Sequence, residues 1–297
     1  MKIIENITLD ESSVGTTNAT ESAAEWDSGT TYAANDIVQI AAQKRKYESQ
    51  VGTNLNNDPT ADDGTNWVDI GPTNGWAMFD EYSETQTERA GNITAEVNPT
   101  GRVTAVAFFN LDATTIRIEE DDPTEGSVYD EEFDLTSYDN IDDFYDYFFA
   151  PLIRKTDLYV DGLPPYAGAT ITLTINNPDS TAKCGKVVAG VERDIGETIA
   201  GADFGIIDAS RITEDDFGNL TIVERSYRKR MGLSVRVARE NVDEAGRLLA
   251  SRRAIPTVFV GSDDYGQLLI DGIPREWRVG VDEYLYSTLN ISVEGLR

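Results

Sequence analysis

The sequence predicts a mainly β protein with antiparallel sheets and one or two short helices. Three observations carry this. Short runs of alternating apolar and polar residues recur, as in Arg102–Asn110, Thr114–Glu119, Ala169–Ile175 and Leu233–Ala238. Turn-forming clusters separate such runs: Asn98-Pro99-Thr100-Gly101, Asn176-Asn177-Pro178-Asp179 and Asp216-Phe217-Gly218-Asn219. Helical patterns are confined to two places. An antiparallel sandwich or barrel suits this pattern, because each strand turns one face to a core and the other to water.

Three stretches follow in order. Residues 1–24 are rich in Ser, Thr, Asn and Glu and read as an N-terminal arm, or a strand that pairs only within an assembly. Residues 25–72 form a compact block of three short β-runs with turn residues between them. Residues 73–297 form the body, whose further runs are Leu220–Glu224, Thr257–Val260, Gln267–Ile270 and Ser287–Glu294. Within it, residues 241–253 predict the clearest helix. Asn241 stands at the N-cap, Asp243 and Glu244 in the first turn, Arg252 and Arg253 in the last, and Pro256 just beyond. A second, short and acidic helix is expected around Ile141–Phe149.

Composition narrows the chemistry. The chain has 297 residues, 40% hydrophobic and 26% charged, enough to bury a real core and a soft prior for two domains. Its formal net charge of −28 argues against nucleic acid as the main partner, since phosphate binding needs clustered cations. Histidine is absent, which removes Ser-His-Asp and Cys-His machinery and imidazole bases. The single cysteine, Cys184, leaves no internal disulfide and no cysteine-cluster metal site, and fits synthesis in a reducing cytoplasm. No apolar run reaches membrane-spanning length, so membrane insertion is not expected. Met1-Lys2-Ile3-Ile4-Glu5-Asn6 turns polar at once and reads as no secretory leader.

The block at 25–72 carries the most specific constellation. It runs Trp26, then Gly29-Thr30-Thr31-Tyr32, then Asp36-Ile37-Val38, then Tyr47-Glu48-Ser49, then Trp67. This resembles the small chitin- and cellulose-binding modules of bacterial chitinases. Asn35 replaces the glycine those modules place before the aspartate, and Asn tolerates the same positive-φ turn. The resemblance implies a carbohydrate-binding-like module, because exposed rings stack on the flat C–H faces of sugars. Trp26, Tyr32, Tyr47 and Trp67 are its candidate binding residues. In so small a block the same four rings also suffice as a core. Tyr47 and Trp67, beside polar residues at strand ends, are the rings expected to be exposed, and Trp26 is expected to be core.

After the block comes Ile70-Gly71-Pro72-Thr73-Asn74-Gly75-Trp76-Ala77-Met78-Phe79-Asp80. This string and the terminal Thr288-Leu289-Asn290-Ile291-Ser292-Val293-Glu294-Gly295-Leu296 resemble segments of bacteriophage tail and baseplate proteins. Trp76 and Phe79 read either as a plug between module and body or as plain core. The last third, in the order strand, helix, strand, strand, is similar to the split-barrel fold of distal-tail, tail-tube and terminator subunits. The resemblance implies a virion location, other tail proteins as partners, and a homo-oligomeric ring, sixfold as first choice.

The run Ile118–Tyr147 holds many carboxylates and no Lys or Arg. It reads as a solvated acidic face in preference to a Ca²⁺ site, since no EF-hand spacing is present. Arg225, Arg228, Lys229, Arg230, Arg236 and Arg239 form its basic counterpart, suited to a head-to-tail contact. No residue is singled out as catalytic or metal-binding, and no cofactor is expected. The leading reading is therefore a structural virion protein whose module contacts a host surface glycan. The alternatives are a glycoside hydrolase with an accessory binding module, or a free lectin.

Overall fold

A computed structural model describes residues 1–10, 12–137, 141, 143–214, 217–263, 265–281 and 285–296. The expected mainly β, antiparallel architecture with two short α-helices is found among them. The N-terminal arm is not. Strand β1 (Lys2–Asn6) lies inside the body sheet, pairing Lys2–Asn6 with Asp194–Gly190 on one side and Lys2–Ile4 with Val260–Val258 on the other. Ile3 and Ile4 are both completely buried and face opposite cores. A strand covered on both faces shows no alternation, so two isoleucines among polar neighbours give little periodic signal. The chain approaches so closely that a Cβ at Gly190 would collide with the Glu5 carbonyl. Strand β2 (Val14–Thr17) also docks on the body, at the segment Ala95–Val97.

The block at 25–72 folds as its own small unit. Its strands are β3 (Ala24–Glu25), β4 (Thr31–Tyr32), β5 (Ile37–Ile40), β6 (Arg45–Ser49), β7 (Asn54–Leu55) and β8 (Trp67–Pro72). Where three strands are expected, the sheet has four: β5, β6 and β8 pair antiparallel, and β3 adds a short parallel strand. β4 and β7 pair separately. At the exit, the Thr73 amide donates to the Lys44 carbonyl (2.8 Å), and the amides of Asn74 and Gly75 donate to Glu21 (2.7 Å each). Met78 and Phe79 enter the main core of the body, with Trp76 packed at its margin, 5.8 Å from Phe79 between ring centroids. These residues thus anchor the junction from the body side.

The body contains β9 (Thr87–Val97), β10 (Ala105–Asp112), β11 (Thr115–Asp122), β12 (Gly126–Asp134), β13 (Thr136–Ser137), α1 (Phe144–Phe149), β14 (Ile153–Arg154), β15 (Leu158–Asp161) and β16 (Thr170–Asp194). It continues with β17 (Glu197–Thr198), β18 (Asp203–Asp208), β19 (Arg211–Glu214), β20 (Leu220–Val223), β21 (Tyr227–Ala238), α2 (Val242–Ser251), β22 (Thr257–Val260), β23 (Leu269–Gly280) and β24 (Tyr286–Gly295). The main sheet runs β12-β11-β16-β1-β22-β23-β24-β21-β17, with β9, β10, β15, β2 and β18 branching from it.

β16 is its spine, pairing with β11 and β9 in its first half and β10 and β1 in its second. The turn expected at Asn176–Asp179 is instead a bulge within this strand. The ladder to β9 skips between Asn177 and Thr181, and the buried Asn177 amide donates to the Thr181 carbonyl (3.1 Å). The side-chain amide closes the bulge within the strand, where Pro178 has no N–H to offer the ladder.

Alternation places Ile93, Ala95, Ile116, Ile118, Leu173 and Ile175 in one core. A second core holds Met231, Leu233, Val235, Phe259, Leu289 and Ile291, closed by Ala245 and Leu249 of α2. The α2 helix lies where expected, but Asn241 sits in a preceding 3-10 turn and makes no side-chain cap. Burial of its apolar face holds it, not capping.

Candidate functional site

The four rings predicted as a binding set do come together, but mainly as a core. Val38, Tyr47 and Trp67 are its buried centre, with Trp26, Tyr32 and Ile40 packed around them. Tyr47 is 8% exposed and Trp67 2%, which corrects the expectation that these two are the exposed rings. Trp67 sits in β8 with its amide donating to Asp62 and its indole N–H to the Asn57 carbonyl, 2.9 Å each. Tyr47 donates its hydroxyl to Gln43 Oε1 (2.8 Å). Polar neighbours in sequence mislead here, because the rings turn inward from their strands and their polar edges are satisfied by Gln43 and the Asn57 carbonyl.

Trp26 and Tyr32 are the members with ring surface left to water. β3 brings Trp26 in, its amide donating to the Gln39 carbonyl (3.0 Å). Its indole N–H is shielded and finds no acceptor among the described residues. Tyr32, on β4, meets Trp67 edge to face, 5.2 Å between centroids, and its hydroxyl accepts from the Asp27 amide (2.8 Å). The turn between β4 and β5 passes through Asn35, whose φ of 71° matches the positive-φ expectation. Exposed Ile37, Leu55, Val68 and Ile70 add apolar surface to the same unit.

The loop before β8 is held by one carboxylate. Against its partial burial, hydrogen bonds from the amides of Trp67, Asn66 and Gly64 and from the Asn66 side chain hold the Asp62 carboxyl below its usual range. Buried Asn54 ties the loop further, donating to Ser49 Oγ and the Asn66 carbonyl, 3.1 Å each. The unit is thus a rigid platform with two half-exposed rings.

The sequence reading missed a second feature, a cleft of about 580 Å³ in the body lined by Asn110, Asp157, Arg225, Tyr227, Lys229 and Asp271. At its floor Lys186 and Asp271 form an almost fully buried ion pair at 2.7 Å, and Lys186 also donates to the Glu81 carbonyl (3.1 Å). Asp157 accepts from Lys229 and from the Asn110 amide. Asp157 and Asp271 are thus each engaged by a lysine, and Glu84 and Glu224 also line the cleft.

The acidic run splits between the β11–β12 hairpin and the segment bearing α1, while Asp139 and Asp142 lie outside the described residues. No group of three or more metal-ligating side chains is found among the described residues. The basic cluster is largely used within the chain: Arg228 pairs with Glu294 at 2.6 Å, Lys229 with Asp157, and Arg230 more loosely with Asp203 at 3.9 Å. No described helix is long and apolar enough to cross a membrane. The chain matches no model of a known protein family, and no curated protein is similar to it.

Proposed function

We propose that this chain is a structural, non-catalytic subunit of a bacteriophage tail ring, of the distal-tail, baseplate or collar kind. Its module at 25–72 touches host surface glycans. The observation that carries the assembly half is exposed apolar surface on two separate elements of the body. Phe144, Tyr145, Tyr147, Phe148 and Phe149 lie on α1, and Phe204, Ile206, Ile212, Leu220 and Ile222 lie on β18 and on the β19–β20 hairpin. A monomer in water rarely carries patches of that size, whereas a subunit hides them against neighbours. The placement in a virion rests on the likeness of residues 70–80 and 288–296 to phage tail segments.

The glycan half rests on Trp26 and Tyr32, two rings with free surface on a rigid support. Each aromatic stack contributes on the order of 1 kcal/mol, so a single module binds weakly. Several copies on one ring raise avidity by about 10²–10⁴ through effective concentration. The test separates two readouts, particle assembly and adsorption, after Trp26→Ala with Tyr32→Ala or after deletion of residues 25–72. Normal assembly with impaired adsorption is expected. Normal adsorption by well-formed particles would refute glycan contact, and hydrolysis of a polysaccharide abolished by one carboxylate substitution would make the chain an enzyme.

A further inference from the structure

A ring built from identical copies needs two different surfaces on each subunit that fit one another. We propose that helix α1 of one copy packs against the apolar face of the β18–β21 ribbon and its β19–β20 extension on the next copy. This contact rests on the assembly reading above and names its partner, a second copy of this chain.

The first surface is α1. Five of its six residues are aromatic, and all five are exposed, Phe144 at 85% and Phe149 at 70%. Leu152 and Ile153 extend the apolar surface. The rings contact each other, Tyr145 with Phe149 at 4.8 Å and Tyr147 with Phe148 at 5.2 Å. A helix this short, made of residues with modest helix propensity, gains little stability alone. What holds the excursion is a clamp at its base. Thr136–Ser137 pair with Arg154–Ile153, the Lys155 amide donates to the Leu135 carbonyl (2.7 Å), and Arg154 donates to Asn177 (3.0 Å). The clamp presents the rings and leaves their faces uncovered.

The second surface is the ribbon. β18 pairs along β21, and β19 with β20 prolongs the projection. Phe204 and Ile206, two residues apart on β18, share a face. Ile212 stands directly opposite Ile222, and Leu220 lies two residues before Ile222 on the same face. All five side chains are more than half exposed.

Two arguments make the occupant a second copy. Five largely exposed aromatic rings offer on the order of 700 Å² on one side, close to the ~800 Å² per partner of a standard interface. Charge points the same way. From Ile118 to Ile153 the chain has no Lys or Arg, so α1 sits in the most acidic part of a protein of net charge −28. An anionic lipid surface repels such a helix. The ribbon is of mixed charge, with exposed Arg211 and Arg225 beside Asp208, Glu214 and Glu224, so it repels an acidic helix less than a uniformly acidic face would.

The experiment uses two full-length variants, Phe148→Asp with Phe149→Asp on the helix and Ile206→Asp with Ile222→Asp on the ribbon. Circular dichroism and thermal melting confirm that each folds, and sedimentation velocity reads assembly. Wild type should form closed oligomers larger than a dimer. Each variant alone should self-associate at least about 100-fold more weakly. An equimolar mixture should form a one-to-one dimer, because one partner keeps an intact helix and the other an intact ribbon. Wild type that assembles while folded variants assemble equally well would overturn this contact and leave the ring reading standing. Monomeric variants whose mixture also stays monomeric would overturn it in favour of another pairing of surfaces. Wild type that remains monomeric at millimolar concentration would sink both readings together.

Discussion

Two buried ionisable sites dominate the residue scale. Lys186 and Asp271 join β16 to β23 with side chains 8% and 6% exposed, and Asp271 Oδ1 finds no donor among the described residues. Removing one partner strands a buried charge, at a cost of about 3–5 kcal/mol. Lys186→Met should therefore lower the urea midpoint sharply, and Lys186→Met with Asp271→Leu should recover most of the loss. Glu120 extends the buried stripe of Ile116 and Ile118 on β11. Burial first, then the nearby Asp122 carboxylate, push its carboxyl up from 4.5 to about 7. Its folded value is raised, so the folded state holds a proton that the unfolded chain has released. Stability then falls as pH rises from 4.5 to about 7 and levels off above. Glu120→Gln should be neutral below that window and stabilise by about 3 kcal/mol above it. Equal effects at acidic and alkaline pH in urea titrations would contradict this.

At the scale of elements, β1 and the module make opposite predictions. β1 is central, so a chain starting at residue 10 loses a strand that both flanking strands need. It should fail to fold, and Ile3→Ala alone should cost about 2–5 kcal/mol. A free arm would tolerate either change with an unaltered melting curve. In the module, Trp67→Ala empties the core beneath Tyr32 and should unfold residues 25–72 while the body stays folded. Trp26→Ala should leave the module folded. Limited proteolysis separates the outcomes, with new cleavage between Asn54 and Asp69 expected only for the Trp67 variant.

For the whole molecule, charge sets the outer conditions. With 53 acids against 25 Lys and Arg, the folded chain repels itself. Raising NaCl from about 0.01 M to about 1 M shortens the screening length from ~30 Å to ~3 Å. The thermal midpoint should rise over that range, and a fall would show that attractive ion pairs outweigh the net repulsion. The same repulsion opposes assembly. The proposed contact between copies would have to overcome it through apolar burial, for which the β18–β21 ribbon offers exposed Phe204 and Ile206.

Alternation and turn residues were enough to read the β class and strands such as Thr257–Val260, which appears with the same limits. Cap and charge signals placed α2, although Asn241 makes no side-chain cap and it is the burial of Ala245 and Leu249 that holds the helix. What they could not reach were properties set by partners distant in sequence. β1 looks polar until β16 and β22 cover both its faces, and β12 hides in an acidic run because one of its sides meets only water. Tyr47 and Trp67 have polar neighbours in sequence, yet folding turns their rings inward and leaves Trp26 and Tyr32 at the surface. Lys186 and Asp271 stand 85 residues apart and become a pair only when β16 and β23 close on one another. Local pattern reports which face of a segment is apolar, and the tertiary structure decides what that face meets.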